Sequence, residues 1–170
     1  MDATSAAGQD PAPDPECVVE LDKEHRIFNT TSGVNSIGRE TLNTDVSVEH
    51  SWKLSRAVVD GRWIFLSATS GMNYATMIMS EDVVEQAKQA VENIRFILSK
   101  LNASMDEVVR YHLVVPDWRD VGKLREVISE AFGGARPVHG VMCCNLPRPE
   151  IKVEIEVTVL RKYDVPANKD

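Results

Sequence analysis

Residues 151–160 read IKVEIEVTVL. Apolar and polar side chains alternate, and successive side chains of a strand point to opposite faces. Ile151, Val153, Ile155, Val157 and Val159 therefore share one face, and Lys152, Glu154, Glu156 and Thr158 the other. Such a strand needs a second layer over its apolar side. Two segments supply it. SEDVVEQAKQAVENIRFILSKL places Val83, Ala87, Val91, Ile94, Leu98 and Leu101 at steps of three or four residues, the stripe of a long amphipathic helix, with Ser80 as its predicted N-cap. Arg119 to Phe132 turns Val121, Leu124, Val127, Ile128 and Ala131 inward and stops at Gly133-Gly134.

The remaining strands follow from the same periodicities. In AVVDGRWIFLSA, Asp60-Gly61 separates two β-rich runs, a hairpin signal. EVVRYHLVV, residues 107–115, predicts a strand with Val109, Tyr111, Leu113 and Val115 on one face. Val138 to Asn145 and Ile151 to Arg161 are the last two. The order ββαβαββ predicts an α+β fold, a single sheet with both helices on one face. The polar face of the final strand is then left over. Self-association would cover it and bring charged groups to a subunit boundary.

Four regions divide the chain: an acidic, Pro/Ala-rich tail over residues 1–16, expected to be disordered; a polar, irregular arm over 17–52; the folded domain over 53–163; and a short tail over 164–170. A net charge of −7 in 170 residues speaks against a nucleic-acid partner, which needs a basic face. No apolar run nears the ~20 residues of a membrane span. MDATSAAGQDPAPDPE does not read as a secretory signal, so the cytoplasm is the expected compartment. Cys17, Cys143 and Cys144 lack any chelating or disulfide spacing. With histidines at 25, 50, 112 and 139, and neither HxH nor CxxC, no metal and no cofactor is expected. SATSG at 67–71 lacks the lysine of a phosphate loop. What remains is acid–base chemistry. His139 and Glu154 fall on strands expected to be close, as an imidazole–carboxylate pair.

Three stretches read together resemble the Rid (YjgF) family of reactive-intermediate deaminases. They are LSRAVVDGRWIFLSATSG, then EDVVEQAKQAVENIRFILSKLNASMDEVVRYHLVVPDWRDVGKLREVISEAFG, then ARPVHGVMCCNLPRPEIKVEIEVTVL. The series QAxxxxxNI, DEVV and VEIEV carries the resemblance, which spans residues 53–160. It implies a chorismate-mutase-like (YjgF-like) fold and a homotrimer whose intersubunit clefts bind small carboxylate-bearing molecules. Its best-known members hydrolyse imines and enamines such as 2-aminoacrylate, with an arginine clamping the carboxylate and a glutamate positioning water. Glu154 matches that glutamate. The arginine position falls at or next to His139, and Arg136 lies three residues before it. The family's tyrosine becomes Leu54, its glycine Ala68, its helix asparagine Arg125 and its cysteine Val141, while Ser67 is retained. The resemblance thus predicts catalytic Glu154 and His139, with Arg136, Arg125, Ser67, Leu54, Ala68 and Val141 as substrate-binding positions. Without a bidentate arginine, the chain is expected to turn over another imine, enamine or related small molecule rather than 2-aminoacrylate efficiently. The alternatives are a non-catalytic binding or regulatory trimer and, disfavoured by the acidic composition, a ribonuclease or translation inhibitor.

Overall fold

The computed structural model describes residues 30–44 and 46–162; both expected tails and Cys17 lie outside them. The elements are β1 (Thr31–Val34), β2 (Glu40–Asn43), α1 (Ser47–Trp52), β3 (Ala57–Asp60), β4 (Trp63–Leu66), β5 (Thr69–Ser70), β6 (Met72–Asn73), β7 (Ile78–Met79), α2 (Val83–Lys100), β8 (Val108–Val115), α3 (Arg125–Phe132), β9 (Val138–Cys143) and β10 (Glu154–Leu160). One sheet runs in the order β1-β2-β3-β4-β10-β8-β9, with β5 also paired to β10. Every pairing in it is antiparallel except β8 with β9. The fold is α+β, and α2 and α3 cover one face. Between the sheet and α2 sits the core, where Ile64, Ile94, Leu98, Val115, Val153, Ile155 and Val159 are fully buried.

Several elements depart from the sequence reading for identifiable reasons. The described part of the arm is regular: β1 and β2 form a hairpin that extends the sheet beyond β3, and α1 follows. Asp82, not Ser80, caps α2, because its carboxylate accepts from Val84 N at 2.8 Å and Glu85 N at 3.0 Å. Ser80 acts one step earlier, with Oγ accepting from Asp82 N. The second helix is 3₁₀ over Trp118–Leu124 and α only from Arg125; Val121 and Gly122 are weak helix formers. In β8, a register shift against β10 puts Val108 rather than Val109 in the core. The hairpin signal holds, with Asp60 opposite Trp63 and Gly61 at φ +57°.

Two buried amides on α2 organise this core. Gln86 Nε2 donates to Ser80 O and Glu150 O, at 2.6 and 2.8 Å, and its Oε1 accepts from Lys152 N at 2.8 Å. That last bond explains why the ladder of β10 begins at Glu154 rather than Ile151, since Lys152 spends its N–H on the helix. Asn93 Nδ2 donates to Ser70 O and Met72 O, at 3.1 and 3.0 Å. Between those two carbonyls lies Gly71, where a Cβ would come within 2.4 Å of the Gln86 backbone. Gln86→Leu keeps the volume and orphans three backbone groups, so urea unfolding should show a loss of about 3 kcal/mol. Gly71→Ala should cost about as much through overpacking.

Candidate functional site

A groove of about 580 Å³ opens between α3, the 3₁₀ segment before it, and strands β8 and β9. Its floor is aromatic. His139 sits opposite Tyr111 in the parallel register, and the two rings stack at 5.3 Å and 16°. On its other side Tyr111 stacks on Phe132, at 4.7 Å and 11°. Val141, Arg125 and Arg136 also line the groove, and among the described residues no carboxylate does. Arg125 opens α3. Arg136 takes φ +49°, an unfavourable setting for a non-glycine residue and doubly so before Pro137. Its N–H bonds Phe132 O at 3.0 Å, ending the helix.

Glu154 lies on the other face of the sheet. Strand parity fixes this. Tyr111 pairs with Val157 on one side and His139 on the other, whereas Glu154 pairs with Val114 and Ser70. Since β8 separates β9 from β10, the two residues are neither on neighbouring strands nor on one face. The expected His139–Glu154 pair does not exist within a chain. The predicted positions fall instead into two groups: Arg125, Arg136, His139 and Val141 in the groove, and Glu154, Ser67, Leu54 and Ala68 toward the β3–β5 end of the sheet.

Around Glu154 the structure adds two residues absent from the sequence reading. Arg56 is buried at the start of β3, its Nε and Nη2 on Glu49 Oε1 at 2.8 Å each. Thr44 donates to the same carboxylate through N and Oγ1, both at 2.7 Å, so α1 is tied to the sheet by a satisfied buried ion pair. Tyr74 hydrogen bonds the Ser70 hydroxyl, and burial raises its phenol pKa against the pull of Arg56. Burial likewise raises the Glu154 carboxyl above its ordinary value, with Arg56 opposing. Ser67 Oγ donates to Ser55 O at 2.8 Å. Ala68 O takes a long contact from Arg56 Nη1, and Leu54 is 49% exposed just past α1. An arginine directly before the apolar run Ala57-Val58-Val59 was the available signal for Arg56. Nothing local marks Tyr74.

Further along that face, Arg110 Nη2 donates to His112 Nε2 at 2.8 Å. An arginine can only donate, so Nε2 accepts and Nδ1–H is left to donate to Glu156 Oε2 at 3.1 Å.

Residues 44–161 match the family model described as Endoribonuclease L-PSP. The chain belongs to this family. Within the family, it is 34% identical to the protein DfrA of Myxococcus xanthus over 124 residues, covering 71% of this chain and 94% of that one. A RutC family protein of Pyrococcus abyssi is 29% identical over 128 residues, 74% of this chain and all of the relative. The 2-iminobutanoate/2-iminopropanoate deaminase of Mus musculus is 28% identical over 130 residues, 75% and 96% of the two chains. A solved member of the YjgF/YER057c/UK114 family from Mycobacterium tuberculosis superposes with TM-score 0.65 at 27% identity, over 72% of this chain and 99% of that one. Rid/YjgF membership is thereby established, and it suggests a small-molecule deaminase or binding role. Among the described residues, no helix is long and apolar enough to cross a membrane.

The raised Glu154 pKa has a consequence for stability. A carboxyl whose folded pKa lies above its unfolded one stabilises the fold below the unfolded pKa, and that contribution fades as pH rises through the folded value. Glu154→Gln removes the effect. Its stability relative to wild type should therefore increase as pH is raised from 4 through the ordinary carboxylate range (about 4.3 for glutamate) and beyond, as read from urea midpoints.

Proposed function

We propose that the chain hydrolyses the C=N bond of a carboxylate-bearing imine, or the tautomeric enamine, at a cleft made by two copies of itself. The groove of one copy holds the carboxylate on Arg125 and Arg136, and Glu154 of the next copy positions the water. Water adds to the imine carbon, the C–N bond breaks, nitrogen leaves as ammonia and a keto acid remains. A carboxyl with a raised pKa suits this step, since it can take a proton from the water and return it to the nitrogen.

The observation that carries this reading is the separation of the two groups of residues. One is cationic and, among the described residues, has no acid in its lining; the other presents Glu154 on the opposite face of the same sheet. A single chain cannot close such a site, whereas copies related by a rotation axis can place one group against the other. Family members are typically small oligomers, which supports the arrangement, as does the similarity to the mouse iminobutanoate deaminase. Trp63 and Phe65, both exposed and stacked at 6.3 Å on the Glu154 side of the sheet, offer apolar area for such an assembly. The family description names an endoribonuclease, but the net charge of −7 weighs against a polyanionic substrate.

β9 reads VHGVMC and holds no arginine. For that reason 2-aminoacrylate, whose binding depends on a bidentate clamp, is proposed as a poor substrate. The same observation favours a second reading, a binding or regulatory oligomer without turnover.

Ammonia release from imines generated in situ by an amino-acid oxidase tests both. Glu154→Gln should lose at least about 100-fold in rate, and His139→Arg should gain turnover of 2-aminoacrylate. Mixed oligomers are more decisive. Glu154→Gln chains co-assembled with Arg125→Gln/Arg136→Gln chains should recover activity in about a quarter of the clefts of a random cyclic assembly. No recovery would refute a shared cleft, and ligand-induced stabilisation without ammonia from wild type would establish the second reading.

A further inference from the structure

The groove has a feature that carboxylate binding does not require. Phe132, Tyr111 and His139 form a nearly parallel three-ring stack, with interplanar angles of 11° and 16°. Tyr111 is the middle ring and Phe132 is buried behind it. His139 ends the stack on the groove side and is exposed, so its outer face is open to a further ring. Above it the walls are apolar, with Val121, Ile128 and Val141. Arg125 and Arg136 supply the charge. Among the described residues neither guanidinium has a hydrogen-bond or ion-pair partner. Most other surface arginines are engaged: Arg39 with Asp60, Arg119 with Asp117, Arg148 with Glu150. Two unengaged guanidiniums beside one groove, in a chain of net charge −7, are a local positive site. The left-handed backbone at Arg136 is the sort of strain that persists where a side chain must be held at a site.

We propose that this groove selects a planar aromatic or heteroaromatic carboxylate, its ring lying on His139 as the fourth member of the stack and its carboxylate meeting Arg125 and Arg136. This inference rests on the shared-cleft reading for its chemistry, and it narrows the substrate class to imines whose side chain carries a flat ring. An aliphatic acid would satisfy the arginines and leave the His139 face wet. A saturated ring of the same size would fill the volume without stacking.

Direct binding to the intact wild-type chain tests it, using 3-phenylpropionate, 3-cyclohexylpropionate and propionate in saturation-transfer NMR and calorimetry. The aromatic acid should bind about tenfold tighter than the cyclohexyl acid, in keeping with the extra strength of ring pairs, and tighter still than propionate. Arg125→Gln and Arg136→Gln should each weaken 3-phenylpropionate about tenfold or more, as expected for a charge-assisted hydrogen bond. His139→Leu keeps apolar bulk and should abolish the aromatic preference while retaining a carboxylate response. Equal affinities for phenyl and cyclohexyl acids, or an aromatic preference that survives His139→Leu, would overturn the proposal. Mixed-oligomer recovery alongside equal affinities would sink the aromatic selection alone and leave the shared cleft standing. The expected binding pattern without that recovery would support the groove as an aromatic-acid site and remove Glu154 from it.

Discussion

The side-chain amides of Gln86 and Asn93 are the contacts on which the rest of the structure depends. Both are buried inside an otherwise apolar helix face, and each is hydrogen-bonded to backbone groups of segments outside the helix. Gln86 holds the chain on both sides of the approach to β10; Asn93 holds the carbonyls flanking Gly71. Glu154 follows Lys152 by two residues and pairs with Ser70. Both sides of the Glu154 environment are thus fixed by one helix. A buried amide without partners would be strongly destabilising, so the pairing specifies a register that apolar contacts alone leave loose.

A second constraint is strand parity. Placing His139 one residue further along β9 would have moved it to the face of Glu154, because a one-residue shift exchanges the faces of a strand. As built, the cationic groove and the carboxylate are held back to back through the thickness of a sheet. The chemistry of each side is kept distinct by this separation. The groove concentrates positive charge, and no carboxylate among the described residues lines it. Glu154, meanwhile, sits in a half-buried setting beside a cation already committed to Glu49. Arg56 therefore lowers the Glu154 pKa less than burial raises it.

Composition and periodicity determined the α+β class, the two helices, the hairpin at Asp60-Gly61 and the alternation of β10, since these depend on local steps of two or three to four residues. The motif residues Gln86, Asn93 and Glu154 were visible as well. What each amide holds was not, because the partners are backbone carbonyls and an N–H up to 66 residues away. The hairpin over residues 31–43 was missed for a related reason. Its strands are only four residues long; β1 is exposed throughout and β2 buries a single apolar side chain, Leu42, too little for an apolar alternation to reveal a strand.

Only the tertiary structure decided which site residues share a face. The sequence puts His139 on one strand and Glu154 on another, but whether two strands are neighbours depends on sheet order. Inserting β8 between them sets the distance, and the registers of β8 with β10 and β9 set the side. The same long-range pairing brought Arg56 and Tyr74 to Glu154 and laid Phe132 on Tyr111. Local patterning fixes which way a side chain points relative to its own strand. Which groups then meet is set by strand order and register, and those are properties of the folded sheet.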